Sequence, residues 1–197
     1  MQKDIEYFKS SKNYFLAAVA VFMGSFLAGI LISAKYPDAA AYVFSQMKDT
    51  YGGIAGLDPL GMMIVIFENN LLISFAALIS GLIFGIIPFA VAAFNGVVLG
   101  ILVEFILKKQ GILFVVAAIL PHGIIELPMI IISVGIGFRL GHAAYRSLAG
   151  MRPIHELFDE LTQGVIFYFK IVASLLLMAA LIESHITPFI ISRFILH

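Results

Sequence analysis

The hydrophobic pattern is a series of long apolar runs separated by short polar breaks. The first run, Asn13 to Ala34, is about 22 residues long, enough for a helix across a hydrocarbon core of about 30 Å. It is longer than the apolar segment of a cleavable signal, about 7–15 residues, so the pattern predicts a retained membrane helix. Leu60 to Leu107 is a second run of about 48 residues, too long for one span and right for two. Pro88 is the expected joint, because proline suits a first helical turn and disfavours helix just before it. The run then divides into helices over about 60–86 and 88–107.

A third run, Gly111 to Gly141, contains Pro121 and Pro128, neither of which can donate the backbone bond that a helix interior uses. Two geometries fit its length. One is a re-entrant half-helix, Gly111 to Leu120, followed by a full span from His122. The other is a single kinked and tilted span. The pattern favours the re-entrant form. A last span is expected over about 164–184, ended by Thr187-Pro188, with Lys170 snorkelling from inside it. Three segments have amphipathic spacing: residues 1–12, Ala39 to Met47, and Pro153 to Gln163. They predict helices at the membrane surface. The fold class is therefore all-α: a polytopic helix bundle of about five spans, with a broken or re-entrant helix at Leu120–Pro128, forming one integral membrane domain over residues 1–197.

Composition sharpens this. Of 197 residues, 61% are hydrophobic and 12% charged, against about 45–50% and about 25% in soluble domains. The expected location is the cell membrane and the expected surroundings are lipid. Net charge is zero, which removes the electrostatic case for nucleic acid. There is no cysteine, so disulfide and thiolate chemistry are excluded. In neither geometry of the third run do Lys and Arg divide unevenly enough to set an orientation.

The candidate chemistry lies in polar residues within the apolar runs. By helical rise, Glu68, Asn69 and Asn70 sit about 12 Å into the second helix and Asn95 about 10 Å into the third. His122 sits about 16 Å past Gly111, so all reach similar depth near the midplane. This predicts one polar intramembrane cluster of Glu68, Asn69, Asn70, Asn95, Pro121, His122, Gly123 and Glu126. His122 and Glu126 are four apart and share a helical face, where a carboxylate can orient an imidazole or join it in holding a cation. Pro121 frees a carbonyl and Gly123 permits close backbone approach, as in the broken helices of transporters. His122 and Glu126 are the candidate metal ligands, although the pair lacks the third ligand and the spacing of a zinc signature. No nucleophile beside a base and no cofactor motif is identifiable, so neither an enzymatic role nor a cofactor is expected. Glu104, four before Lys108, reads as a solvated helix terminus. Gly24/Ala28, Ser25/Gly29, Gly81/Gly85 and Gly96/Gly100 are small-residue pairs of the kind that let helices approach closely.

The order of these motifs resembles the stage II sporulation protein M family. The matching pieces are Phe67-Glu68-Asn69-Asn70-Leu71, Gly81 and Gly85, Phe94-Asn95-Gly96 with Gly100, the stretch Leu120-Pro121-His122-Gly123-Ile124-Ile125-Glu126-Leu127-Pro128, and Gly135/Gly137. They cover a core of about residues 60–141, and Pro-His-Gly-x-x-Glu is the most specific element. The resemblance implies a multi-pass membrane protein. The named member is a scaffold that anchors cell-wall hydrolases during engulfment in endospore formers. Relatives in archaea and non-sporulating bacteria keep that sporulation role from being transferred.

Two functions follow as expectations. One is a non-enzymatic membrane scaffold or assembly factor, a homodimer with membrane or envelope protein partners, whose polar cluster is structural. The other is a small ion, proton or metal channel or transporter lined by that cluster.

Overall fold

The computed structural model describes residues 2–52, 56–187 and 189, with the side chains of residues 48–52, 118, 120 and 122 outside the described set. The described residues form helices and no strand: α1 (Gln2–Ser10), α2 (Lys12–Lys35), α3 (Pro37–Gly52), α4 (Pro59–Ile79), α5 (Ile86–Gln110), α6 (Ile112–Leu148), α7 (Ile154–Phe167) and α8 (Ala173–Leu181). Five stretches are long and apolar enough to cross a membrane: Lys12–Lys35, Pro59–Leu82, Ile86–Gln110, Gly123–Leu148 and Ile154–Ile186. A helix satisfies its backbone groups internally, which lipid requires of any spanning segment.

Three boundaries differ from the sequence expectation. The joint between α4 and α5 is not at Pro88. A short 3-10 turn, Ser80–Leu82, is followed by Phe84 and Gly85 with φ of 52° and 74°. Gly85 takes the left-handed conformation without steric cost, and Pro88 falls inside the first turn of α5, where its missing N–H is harmless. The third run is one continuous helix, α6, through both Pro121 and Pro128, where the pattern favoured a half-helix and a break. The surface helix expected at Pro153–Gln163 and the last span are also one helix. α7 continues into α8 through a π segment at Tyr168–Val172, and α8 ends in a second at Ile182–Ile186.

Lipid tails are as apolar as leucine, so packing depends on close backbone approach. α2 and α5 run parallel. A methyl built on Gly96 would strike the Phe22 carbonyl at 2.5 Å; one on Gly100 would collide with the Phe26 carbonyl oxygen, and one on Gly29 with that of Val97. α4 and α6 also run parallel. Gly81 lies against the Gly137 backbone, and Gly137 against the Ala77 carbonyl and the Pro88 ring. These glycine faces are therefore occupied within the chain, whereas Gly24 faces open space. Around the contacts sit the buried side chains of Leu78, Ile136, Leu140, Tyr168 and Leu176, and of Ala18, Ala77, Ala92 and Val134. α3 packs on α5 through Ala40, Ile101 and Phe105, with the Phe44 and Phe105 rings 5.0 Å apart.

Polar ties fix the ends. Glu104 is buried rather than solvated: Ser33 Oγ donates to Oε2 at 2.5 Å, and Lys108 Nζ lies 2.5 Å from Oε1. At the other end Arg139 Nε donates to both Glu160 oxygens, at 2.7 and 2.9 Å, and Nη2 donates to Oε1. Its Nη1 reaches Ser10 Oγ at 2.7 Å and Ser11 Oγ at 2.6 Å. The guanidinium lies 4.4 Å from the Tyr7 ring centroid, a cation–π geometry. Burial pushes the Tyr7 phenol pKa up, against the opposing pull of Arg139. Lys170 points to Asp4 at 3.7 Å instead of simply snorkelling. α1 is thus held to α6, α7 and the first π segment.

Two stability predictions follow. Gly100→Ala lowers the melting temperature of the detergent-solubilised chain, at a cost of about 1–3 kcal/mol for overpacking, while Gly24→Ala does not. Equal melting of the two variants contradicts the α2–α5 packing. Arg139→Gln leaves Glu160 without its partner and costs about 1–3 kcal/mol. Arg139→Lys recovers part of this, because it keeps the charge and loses the planar fork. Denaturation of the three proteins side by side checks it, and a Gln variant as stable as the parent contradicts it.

Candidate functional site

α3, α4, α5 and α6 enclose a cavity of about 810 Å³. Its walls are mostly apolar, including Val43, Met47, Ile73, Val91, Val98 and Ile130, and its polar lining is Tyr42, Gln46, Asn69, Asn70, Asn95 and Glu126. The sequence explains why α4, α5 and α6 all bring polar side chains to it. α4 and α6 run parallel, so Asn70 and Glu126 reach one level. α5 runs the other way and brings Asn95 to the same cavity from the opposite end.

The polar groups are bonded to one another and to the backbone. Asn70 is buried and its side chain hydrogen-bonds the Glu126 carboxyl. The Asn70 carbonyl accepts from Ser74 Oγ at 2.5 Å. Ser74 Oγ lies 2.8 Å from Tyr168 Oη, which also donates to the Leu71 carbonyl at 2.9 Å. Tyr168 opens the first π segment, and its ring packs on Phe75 of α4, with centroids 5.2 Å apart. Asn95 Nδ2 donates to the Val91 carbonyl at 2.8 Å. Such bonds suit a lipid-embedded site, because an unpaired polar group there is costly.

The structure thus brings Asn69, Asn70, Asn95 and Glu126 to one cavity. Glu68 is exposed and not among its lining residues. Pro121 lies within helix, half-buried. Gly123 is buried, but a methyl there would meet only Ile119 and Leu127 of its own helix, at 3.3 and 3.8 Å. It therefore marks no close approach of a neighbouring backbone. The His122 side chain lies outside the described residues, and with it the expected His122–Glu126 pair. Among the described residues no group of three or more His, Asp or Glu side chains is placed to hold a metal ion.

Sequence reading missed two partners. One is the Ser74–Tyr168 bond, since a tyrosine and a serine in apolar runs give no sign of meeting. The other is Glu183. It stands in the second π segment, close enough to Glu126 for their charges to interact. An acid inside the last apolar run was its only signal.

Comparison with known proteins bears on the whole bundle. No solved structure matches the chain. An uncharacterized protein of Methanocaldococcus jannaschii is 32% identical over 124 residues, covering 62% of this chain and 69% of the other. The family model of stage II sporulation protein M matches residues 17–188, which takes in all of the first span but its first five residues, the other four spans, the cavity and both π segments. The chain belongs to the stage II sporulation protein M family.

Proposed function

We propose that this protein is a non-enzymatic scaffold or assembly factor of the cell membrane, crossing the bilayer five times as one integral domain. The observation that carries this reading is the pairing of a bonded polar floor with a mostly apolar cavity wall. Ser74 and Tyr168 are bonded to each other and to the α4 backbone, beside Asn70 and Glu126, so they tie the last helix to α4. The cavity beside them, about 810 Å³, is lined by α3, α4, α5 and α6, and Phe94 on its wall is largely exposed. In a bilayer such a space takes apolar matter. A helix from another membrane or envelope protein, or from a second copy of this chain, matches the mostly apolar walls. A small polar side chain on that helix matches the amides of Asn69 and Asn95, as polar groups do between membrane helices.

The glycine faces occupied inside the chain do not serve a homodimer on this reading. A second copy must use the cavity or the face that carries Gly24. Membership of the family supports the scaffold, since the resemblance implies that role for its named member.

The test is a photoreactive amino acid placed at Phe94 or Ile73 in the full chain, activated in native membranes. The expected product is a discrete protein adduct, with partner and self-adduct told apart by mass, absent when the probe replaces exposed Leu16 on α2. Labelling of lipid alone at both cavity positions contradicts the scaffold reading.

A further inference from the structure

A second, smaller pocket lies at the far end of α6, about 20 Å along the helix from Glu126. It has a volume of about 170 Å³, and Arg139, Arg146 and Arg152 converge on it with His142, Tyr14, Ser10 and Glu160. Arg139 and Arg146 are seven apart, two turns on one face of α6. Arg152 is brought back by the turn after the helix. Gly150 takes φ 69°, and the N–H groups of Met151 and Arg152 both donate to the Arg146 carbonyl, at 2.9 and 3.2 Å. The backbone thus folds the third arginine over the second.

The three cations are not equally engaged. Arg139 is spent on Glu160, Ser10 and Ser11, and neutralises the one carboxylate in the lining. Arg152 pairs with Glu156 at 3.2 Å, both about half exposed, an arrangement of little worth that a stronger anion can displace. Arg146, half-buried, has no side-chain partner among the described residues. His142 Nδ1 lies 2.5 Å from Tyr14 Oη. With the hydroxyl donating, Nε2 carries a hydrogen free to donate outward. Tyr145, Leu148 and Met151, one or two positions from Arg146 or Arg152 in the chain, are exposed.

We propose that this pocket binds a phosphate group, held by Arg146 and Arg152 with His142 as a further donor. Arginine forks match phosphate oxygens, and basic pockets between membrane helices bind lipid head groups. The pocket stands where α6 ends and α7 begins, at the level of the amphipathic α1. Exposed apolar side chains next to the two arginines in the chain suit acyl chains, so an anionic phospholipid is one source of the phosphate and a soluble phosphate is the other.

The test uses the full chain, purified in detergent and stripped of lipid, with binding read by native mass spectrometry and by thermal shift. The probes are phosphatidylglycerol, phosphatidylcholine and inorganic phosphate. The expected result is retention of phosphatidylglycerol over phosphatidylcholine, falling roughly tenfold in the double variant Arg146→Gln/Arg152→Gln. Stabilisation by inorganic phosphate that the double variant abolishes keeps the site and assigns it a soluble ligand. Both substituted side chains are at or near the surface, so the lipid-free variant melts close to the parent and lost binding is not lost folding. Equal retention of the two lipids, or equal retention of phosphatidylglycerol by parent and variant, with no phosphate effect, overturns the proposal.

Discussion

Backbone contact between helices is the constraint on which this bundle depends. A soluble bundle gains free energy by hiding apolar side chains from water. Apolar spans in lipid gain nothing comparable, since one hydrocarbon neighbour replaces another, and what remains is close packing, hydrogen bonds and lipid entropy. The chain meets this with glycines placed against carbonyls: Gly29, Gly96 and Gly100 between α2 and α5, and Gly81 and Gly137 between α4 and α6. The parallel course of each pair is what sets Asn70 beside Glu126 and Ser33 beside Glu104. The polar bonds are therefore consequences of the packing, and once formed they hold its register.

The two ends of the bundle use their polar residues differently. Near the cavity, amides, hydroxyls and a carboxyl lie together at a depth where water is scarce, and Tyr168 and Glu183 come to them from the two π segments of the last long helix. At the far end, full charges do the work. Arg139 gathers three elements through its five donors, and Arg146 and Arg152 stand beside it with capacity to spare. Rigidity at one end and spare cationic capacity at the other both fit the proposed scaffold.

Much of the fold was legible because lipid simplifies the code: run length gave five spans, and small-residue spacing marked the close faces. Gly81/Gly85 shows where that reading thins. The spacing marks a packing face, but Gly81 packs and Gly85 turns the chain, and only the backbone angles tell them apart. Pro121 and Pro128 misled in a related way. A missing donor weakens a helix without ending it, and α6 packs on α4 beside Glu126, between the two prolines. Depth counting brought Asn69, Asn70, Asn95 and Glu126 to one level, yet it ignores azimuth, so it placed Glu68 with them although that side chain turns outward. Tyr168, Glu183 and Arg139 were illegible as partners for the same reason: their meetings depend on helix rotation, which no hydrophobic period encodes.

The central claim is that the intramembrane polar groups serve the architecture and are not a path. It is tested most directly by reconstituting the purified chain in sealed vesicles under a proton, sodium or potassium gradient and following dissipation with ion-sensitive dyes, with Glu126→Gln alongside. The account predicts leakage no faster than in empty vesicles for either protein. Flux well above that background in the parent, abolished by Glu126→Gln while the bundle stays folded, would contradict it.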